Sequence, residues 1–178
     1  MDPDRLSRFG AVDVHYPETG GARAALVQAS DQRFETLTDE RIAWLDDVAP
    51  YEPGKFFARE LPCIRAVIDG YPVPDLLIVD GYVDLDPDGR PGLGAHLHAD
   101  LAIPIIGVAK TAFRSATHAV EVRRGTAIRP LYITSIGLPV ETAATLVTTM
   151  AGSHRMPSAL HLVDALARGR RSVATYGM

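Results

Sequence analysis

Cysteine is nearly absent from the 178-residue chain, where Cys63 stands alone. A single thiol excludes an internal disulfide and a cysteine-rich zinc site, and its setting in LPCIRAVI suits a small buried hydrophobe. Lysine is almost as scarce, with two residues, Lys55 and Lys110, against sixteen arginines. A lysine kept against that bias points to a task that needs a compact point charge, such as contact with a phosphate. No apolar stretch approaches the roughly 20 residues of a membrane helix, and MDPDRLSRFG holds no apolar run that could serve as a signal peptide. These absences predict a cytoplasmic protein without a membrane partner. Excess positive charge is missing too. A net charge of -4 and a pI near 5.8 exclude binding of nucleic acid through bulk charge, so any such binding must be local. Part of the acidity fits a metal site, because clustered carboxylates count as net negative until a cation is added.

What is present suits one globular domain spanning 1–178, with 47% hydrophobic and 22% charged residues. FGAVDVHY (9–16) and ARAALVQAS (22–30), joined by PETGG, predict a hairpin, and RFETLTD (33–39) predicts a third antiparallel strand. FFARELPCIRAVIDG carries Phe56, Phe57, Leu61, Ile64, Val67 and Ile68 at helical spacing, with Pro62 predicting a kink or a late start. DLLIVDG (75–81) and IPIIGVAK (103–110) predict buried parallel strands, with PGLGAHLHADL as the helix crossing between them. AVEVRRG and AIRPLYITSIG follow as strands, GLPVETAATLVTTMAG and PSALHLVDALARG as closing helices, and 170–178 as a frayed tail. The order gives an α/β fold, a ribonuclease H-like mixed β-sheet flanked by helices.

Four carboxylates stand out. Asp13 interrupts the first strand between Val12 and Val14, where an unpaired charge is costly, so it needs either solvent or a partner. Asp80 closes LLIVD; Glu60 and Asp164 lie on predicted helices. Each alone has a plain structural reading, as an edge, turn, exposed-helix or arginine-paired residue. Together they form the oxygen-rich set that Mg²⁺ prefers, suited to activating water for phosphodiester hydrolysis. Lys110 ends the strand beside Asp80, where a cation can meet the charge of a phosphate in transition. His96 and His98 are two apart, face different sides of a helix and lack a third ligand, which excludes zinc there. DPDGR (86–90) reads as a turn, since it lacks the later acidic ligand of a calcium loop.

These segments, in this order, resemble the endonuclease V family, deoxyinosine-type 3′ endonucleases of ribonuclease H-like fold. VDVHY (12–16) resembles its first metal-aspartate motif, PYEPGKFFARE (50–60) its wedge-to-glutamate motif, and PDLLIVDG (74–81) its second metal-aspartate motif. PIIGVAK (104–110) resembles its lysine motif, YITSIGLPVETAATLV its late strand and helix, and RMPSALHLVD (155–164) its last acidic motif. The resemblance implies Asp13, Glu60, Asp80 and Asp164 as catalytic metal-site residues for Mg²⁺, with Mn²⁺ as a substitute, and Lys110 as the catalytic cation. It implies substrate contacts by Tyr51, Gly54, Phe56, Arg59 and Gly81, with PYEP wedged where a damaged base leaves the stack.

The implied activity is DNA repair: cleavage of DNA on the 3′ side of a deaminated base, leaving 3′-hydroxyl and 5′-phosphate ends. The implied partner is DNA containing inosine, with no protein partner and a monomeric enzyme. An inosine-specific ribonuclease and a non-cutting reader of deaminated bases are the rival readings. Three positions depart from the family pattern: Asp86 replaces a histidine, Glu52 a wedge isoleucine, and Leu160-His161 a TR pair. The first two add negative charge on the side facing a polyanion.

Overall fold

Continuous apolar runs in the middle of the chain and alternating runs at its start build one mixed sheet. The structure, a computed structural model, describes residues 6–52 and 55–176. In chain order its elements are β1 (Phe9–His15), β2 (Ala22–Ala29), β3 (Leu37–Leu45), α1 (Phe56–Ile68), β4 (Leu76–Asp80) and α2 (Leu93–Leu101). There follow β5 (Ile105–Ala109), β6 (Val120–Val122), β7 (Leu131–Ile136), α3 (Val140–Thr149) and α4 (Ser158–Ala167). The strands lie in the order β3-β2-β1-β4-β5-β7-β6. β1, β4 and β5 run parallel, and antiparallel strands flank them on both sides.

The central strands are apolar on both faces because both are covered. Val12, Leu77, Val79 and Ile105 pack under α1 and α2 with Ile64, Ile68 and Leu97. Ala11, Ile78, Ile106 and Val108 pack on the opposite face under α3 and α4, with Leu146, Val147, Val163 and Leu166. Three parallel strands present their C-terminal ends along one edge, which gathers whatever follows each apolar run.

Three local expectations change. The segment expected as a third strand from 33 instead opens with a turn. Asp31 accepts backbone N–H bonds from Arg33, Glu35 and Thr36, Phe34 adopts φ 55°, and the strand begins at Leu37. Helix α1 runs through Pro62 from Phe56, without a late start. Pro62 lies on the exposed side, where solvent can serve the carbonyl of Ala58 that proline cannot bond. The expected frayed tail is tied down as far as Tyr176: the buried Glu40 carboxylate accepts bonds from the Ala174 N–H and the Tyr176 hydroxyl.

Arg124 holds the end of α3 and, among the described residues, has no carboxylate partner. Its guanidinium is buried and donates to the carbonyls of Thr148, Met150, Gly152 and His154. Replacing it with methionine strands four acceptors, so Arg124→Met should lower unfolding free energy by about 3 kcal/mol. Urea denaturation checks this; a loss under about 1 kcal/mol would show that the carbonyls find solvent on their own.

Candidate active site

The site follows from strand parity. Val12 pairs with Val79, so Asp13 and Asp80 stand side by side one step further along adjacent parallel strands. Asp80 pairs with Val108, and Lys110 lies two residues beyond, on the same face. Lys110 Nζ donates to Asp80 Oδ2 at 2.7 Å. Asp164 arrives on α4 from that side, and Asp13, Asp80, Lys110 and Asp164 line one narrow cleft floored by Val108, Leu160 and Val163.

Glu60 approaches from α1 on the other side of the sheet and does not line that cleft, although it feels its charges. It is 7% exposed. Burial, then the charges of Asp13 and Asp80, push its carboxyl up to about 8. Burial and the neighbouring Asp80 push Asp13 to about 7, although its carboxylate accepts the Val14 N–H at 2.9 Å. Burial opposes the charge on Lys110, but the bond it donates to Asp80 and the charges of Asp80, Asp13 and Asp164 hold the ammonium above its usual range. Burial likewise opposes the charge on Asp164, and Arg168, bonded at 2.8 Å, outweighs it and holds that carboxyl low. Among the described residues no trio of His, Cys, Asp or Glu stands as a preformed metal cage. Asp80 turns to Lys110 and Asp164 to Arg168 instead. The donor chemistry still fits a hard cation: Asp13 and Asp80 supply adjacent oxygens whose repulsion one lysine leaves uncancelled.

Beside the cleft a cavity of ≈ 240 Å³ opens between Phe56, Phe57, Asp80, Gly81, Tyr82 and Leu93. Gly81 adopts φ +122°, a conformation side chains resist. The turn after it folds tightly onto β5 because Gly107 lacks a side chain; a Cβ there would lie 2.6 Å from the Gly81 carbonyl oxygen. Thr134 Oγ1 accepts the Val83 N–H at 2.8 Å and locks the turn. Tyr82 extends the lock, its hydroxyl donating to the Thr111 carbonyl at 2.8 Å and accepting the Phe113 N–H at 3.0 Å. Arg155 donates to the carbonyls of Lys110 and Pro130. Sequence reasoning passed over Gly107, Tyr82, Thr134 and Arg155 as site residues. Only the tight GVAK and RMP settings of Gly107 and Arg155 gave any signal.

The remaining expected contacts divide. Phe56 and Gly81 meet in the cavity, whereas Tyr51 does not line it and is 62% exposed on the segment ahead of α1. Gly54 lies outside the described residues. Arg59 does not line the cavity: its guanidinium lies 3.8 Å over the Tyr16 ring. Glu52 pairs with Lys55 at 2.8 Å, and Asp86 shapes the expected turn by accepting the Arg90 N–H at 3.0 Å. His96 stacks on Phe57 at 3.6 Å and His98 bonds the Ile103 carbonyl at 2.7 Å, so neither is aimed at a metal.

A mixed sheet that gathers two aspartates and a lysine at adjacent strand ends, flanked by helices on both faces, defines a ribonuclease H-like α/β domain with an acidic site. The chain belongs to the Endonuclease V family, whose model matches residues 2–137. It is 33% identical to Endonuclease V of Thermococcus kodakarensis over 174 residues, 97% of this chain and 83% of that one. The crystal structure of Endonuclease V from Streptomyces avermitilis superposes with a TM-score of 0.76 at 25% identity, covering 93% of this chain and 81% of that one. Endonuclease V of Ciona intestinalis, crystallised with a 23mer DNA containing an inosine followed by a ribo-adenosine, shares the fold at TM-score 0.75 and 18% identity, covering 94% of this chain and 86% of that one.

The raised carboxyl of Asp13 sets a pH test. A folded-state value near 7 against an ordinary 3.8 means the folded chain holds a proton that the unfolded chain releases. The resulting penalty is absent below about pH 4, grows through pH 4 to 7 and is full above it. In chelator, the wild type should therefore lose about 2–4 kcal/mol relative to Asp13→Asn between pH 4 and pH 8. Chemical denaturation of both at each pH checks it, and parallel pH profiles would refute the electrostatic account.

Proposed function

We propose that this chain is a Mg²⁺-dependent endonuclease that hydrolyses a phosphodiester on the 3′ side of a deaminated base, inosine above all, in DNA. The observation that carries the reading is Asp13 raised to about 7 beside Asp80, with Lys110 bonded to that second aspartate at 2.7 Å. Asp13 and Asp80 would hold the ion, with Glu60 and Asp164 flanking it; Mn²⁺ suits the same oxygens. Mg²⁺ bound there supplies Lewis-acid stabilisation of phosphate charge and lowers the pKa of water.

The chain's own groups divide the remaining work. Lys110 Nζ sits where it can bind a non-bridging phosphate oxygen and meet the charge that grows on it. Glu60, raised to about 8 by burial and then by Asp13 and Asp80, stands on the α1 side of them and would hold waters of the ion once the cation offsets those charges and lets its carboxyl ionise. The cavity of Phe56, Gly81 and Tyr82 is placed to receive a base turned out of its stack, directly beside Asp80. Tyr51, exposed ahead of α1, supplies a ring that can replace the stacking such a base leaves behind. The products are a 3′-hydroxyl and a 5′-phosphate, and the biological role is DNA repair.

The test is cleavage of labelled oligonucleotides with one inosine, in DNA and RNA side by side, with Mg²⁺, Mn²⁺ or chelator. Wild type should cut only with a divalent ion. Asp80→Asn should lose cleavage and lose the rise in melting temperature that Mg²⁺ gives the wild type. Lys110→Met should lose about 100-fold in rate yet keep that rise. Cleavage in chelator, or wild-type rates in Asp80→Asn, would refute the mechanism. Cutting confined to RNA would make the enzyme an inosine-specific ribonuclease, and tight binding of inosine strands without cutting would make it a reader.

A further inference from the structure

The sheet face that carries Asp13 continues into a second groove. His15 follows Asp13 by two on β1 and shares its face. The ladders set His15 beside Arg23 on β2, and Arg23 beside Trp44 on β3. Arg168, at the end of α4, closes the row, and the four side chains line a cavity of ≈ 240 Å³ with Thr19. Arg168 is also the residue bonded to Asp164 in the catalytic cleft, so cleft and groove share a wall.

Trp44 and Arg23 are held in place with their indole face and guanidinium charge available, while Arg168 already spends one nitrogen on Asp164. Trp44 is 51% exposed, and its Nε1 donates to Asp46 Oδ1 at 2.6 Å. The indole rests on Gly21, where φ is +73° and an added Cβ would lie 2.7 Å from the ring. Arg23 is pinned beneath Gly169, whose added Cβ would lie 3.1 Å from the guanidinium. Its Nε is buried with no hydrogen-bond partner, and among the described residues Arg23 pairs with no carboxylate. A fixed cation without a counter-ion, next to a half-open indole, suits a ligand that alternates negative charge with flat π faces.

We propose that this groove binds single-stranded nucleic acid flanking the scissile phosphate on the side away from the extruded base. The inference rests on the nuclease reading above. The base cavity borders Asp80 on β4, and the groove spans β1 to β3, so a strand passing both aspartates reaches Trp44 after three strand spacings, about 14 Å. One base stacks on Trp44 while Arg23 and Arg168 take the neighbouring phosphates.

Trp44 is the only tryptophan of the chain, so it reports its own occupancy. A short oligothymidylate without inosine, titrated into the wild type in chelator, should quench its fluorescence saturably. By anisotropy of the labelled oligonucleotide, Trp44→Ala should bind about tenfold more weakly, with partial recovery in Trp44→Phe. Arg23→Met should weaken binding similarly and lower the salt slope by about one. Unchanged melting temperatures will separate these effects from misfolding. Binding without quenching, wild-type affinity in both variants, or equal quenching by polyglutamate would overturn the proposal. Should the groove fail while inosine DNA is still cut, the nuclease reading stands; quenching with no cleavage of any inosine strand would support the groove and reject that reading.

Discussion

Two like charges on neighbouring parallel strands, Asp13 and Asp80, repel each other at the sheet end, Asp13 partly withdrawn from water and Asp80 open to it. The surrounding structure is arranged about that repulsion. Lys110 is brought to Asp80 by the register of β5, its carbonyl is gripped by Arg155, and the segment after it is tied by Tyr82. Arg168 answers Asp164. Such a site works against folding, and it persists because helices pack both faces of the sheet with apolar contacts that do not depend on it.

The parts written in contiguous residues were legible. LLIVD and IIGVA read as buried strands because both faces are covered, and a polar residue at the end of each run had to emerge at the sheet edge. That places Asp80 and Lys110 from sequence alone, and the parity of VDV places Asp13. Glu60 was harder: on a helix with one apolar and one exposed face, nothing local distinguishes it from a solvated glutamate, and its burial is a product of how α1 meets the sheet end. Gly107 needs a partner 26 residues away to show its purpose, since its missing side chain matters only where the Gly81 carbonyl approaches. The start of β3 was misplaced because RFETLTD alternates well enough for a strand, whereas Asp31, just outside that window, captures three of its N–H groups. Arg59 was expected at the substrate through its motif, but the nearer Tyr16 ring takes its guanidinium.

The two charge-adding departures from the family pattern also look different in three dimensions. Asp86 is bound into its own turn, accepting the Arg90 N–H and facing that residue's guanidinium at 3.3 Å. Glu52 stands 2.8 Å from the Lys55 ammonium. Both pairs are solvent-exposed and worth little in stability, yet each cancels most of the field a strand would meet at a distance. The sequence alone counts two added negative charges, while an approaching phosphate meets two near-neutral pairs.

An acidic protein can hold a polyanion if its positive charges are placed where the strand runs and its negative ones are paired elsewhere. Asp39 and Arg41, Asp75 and Arg8, and Glu121 and Arg123 are matched along the outer strands and loops. Among the described residues Arg23 is left unmatched on the sheet face that leads away from the carboxylates, and Lys110 faces two aspartates that a metal ion would neutralise. The net charge of -4 therefore says little about this surface. What decides binding is that the carboxylates needing a cation and the arginine lacking an anion lie on one continuous face, so that a strand and an ion arriving together satisfy both.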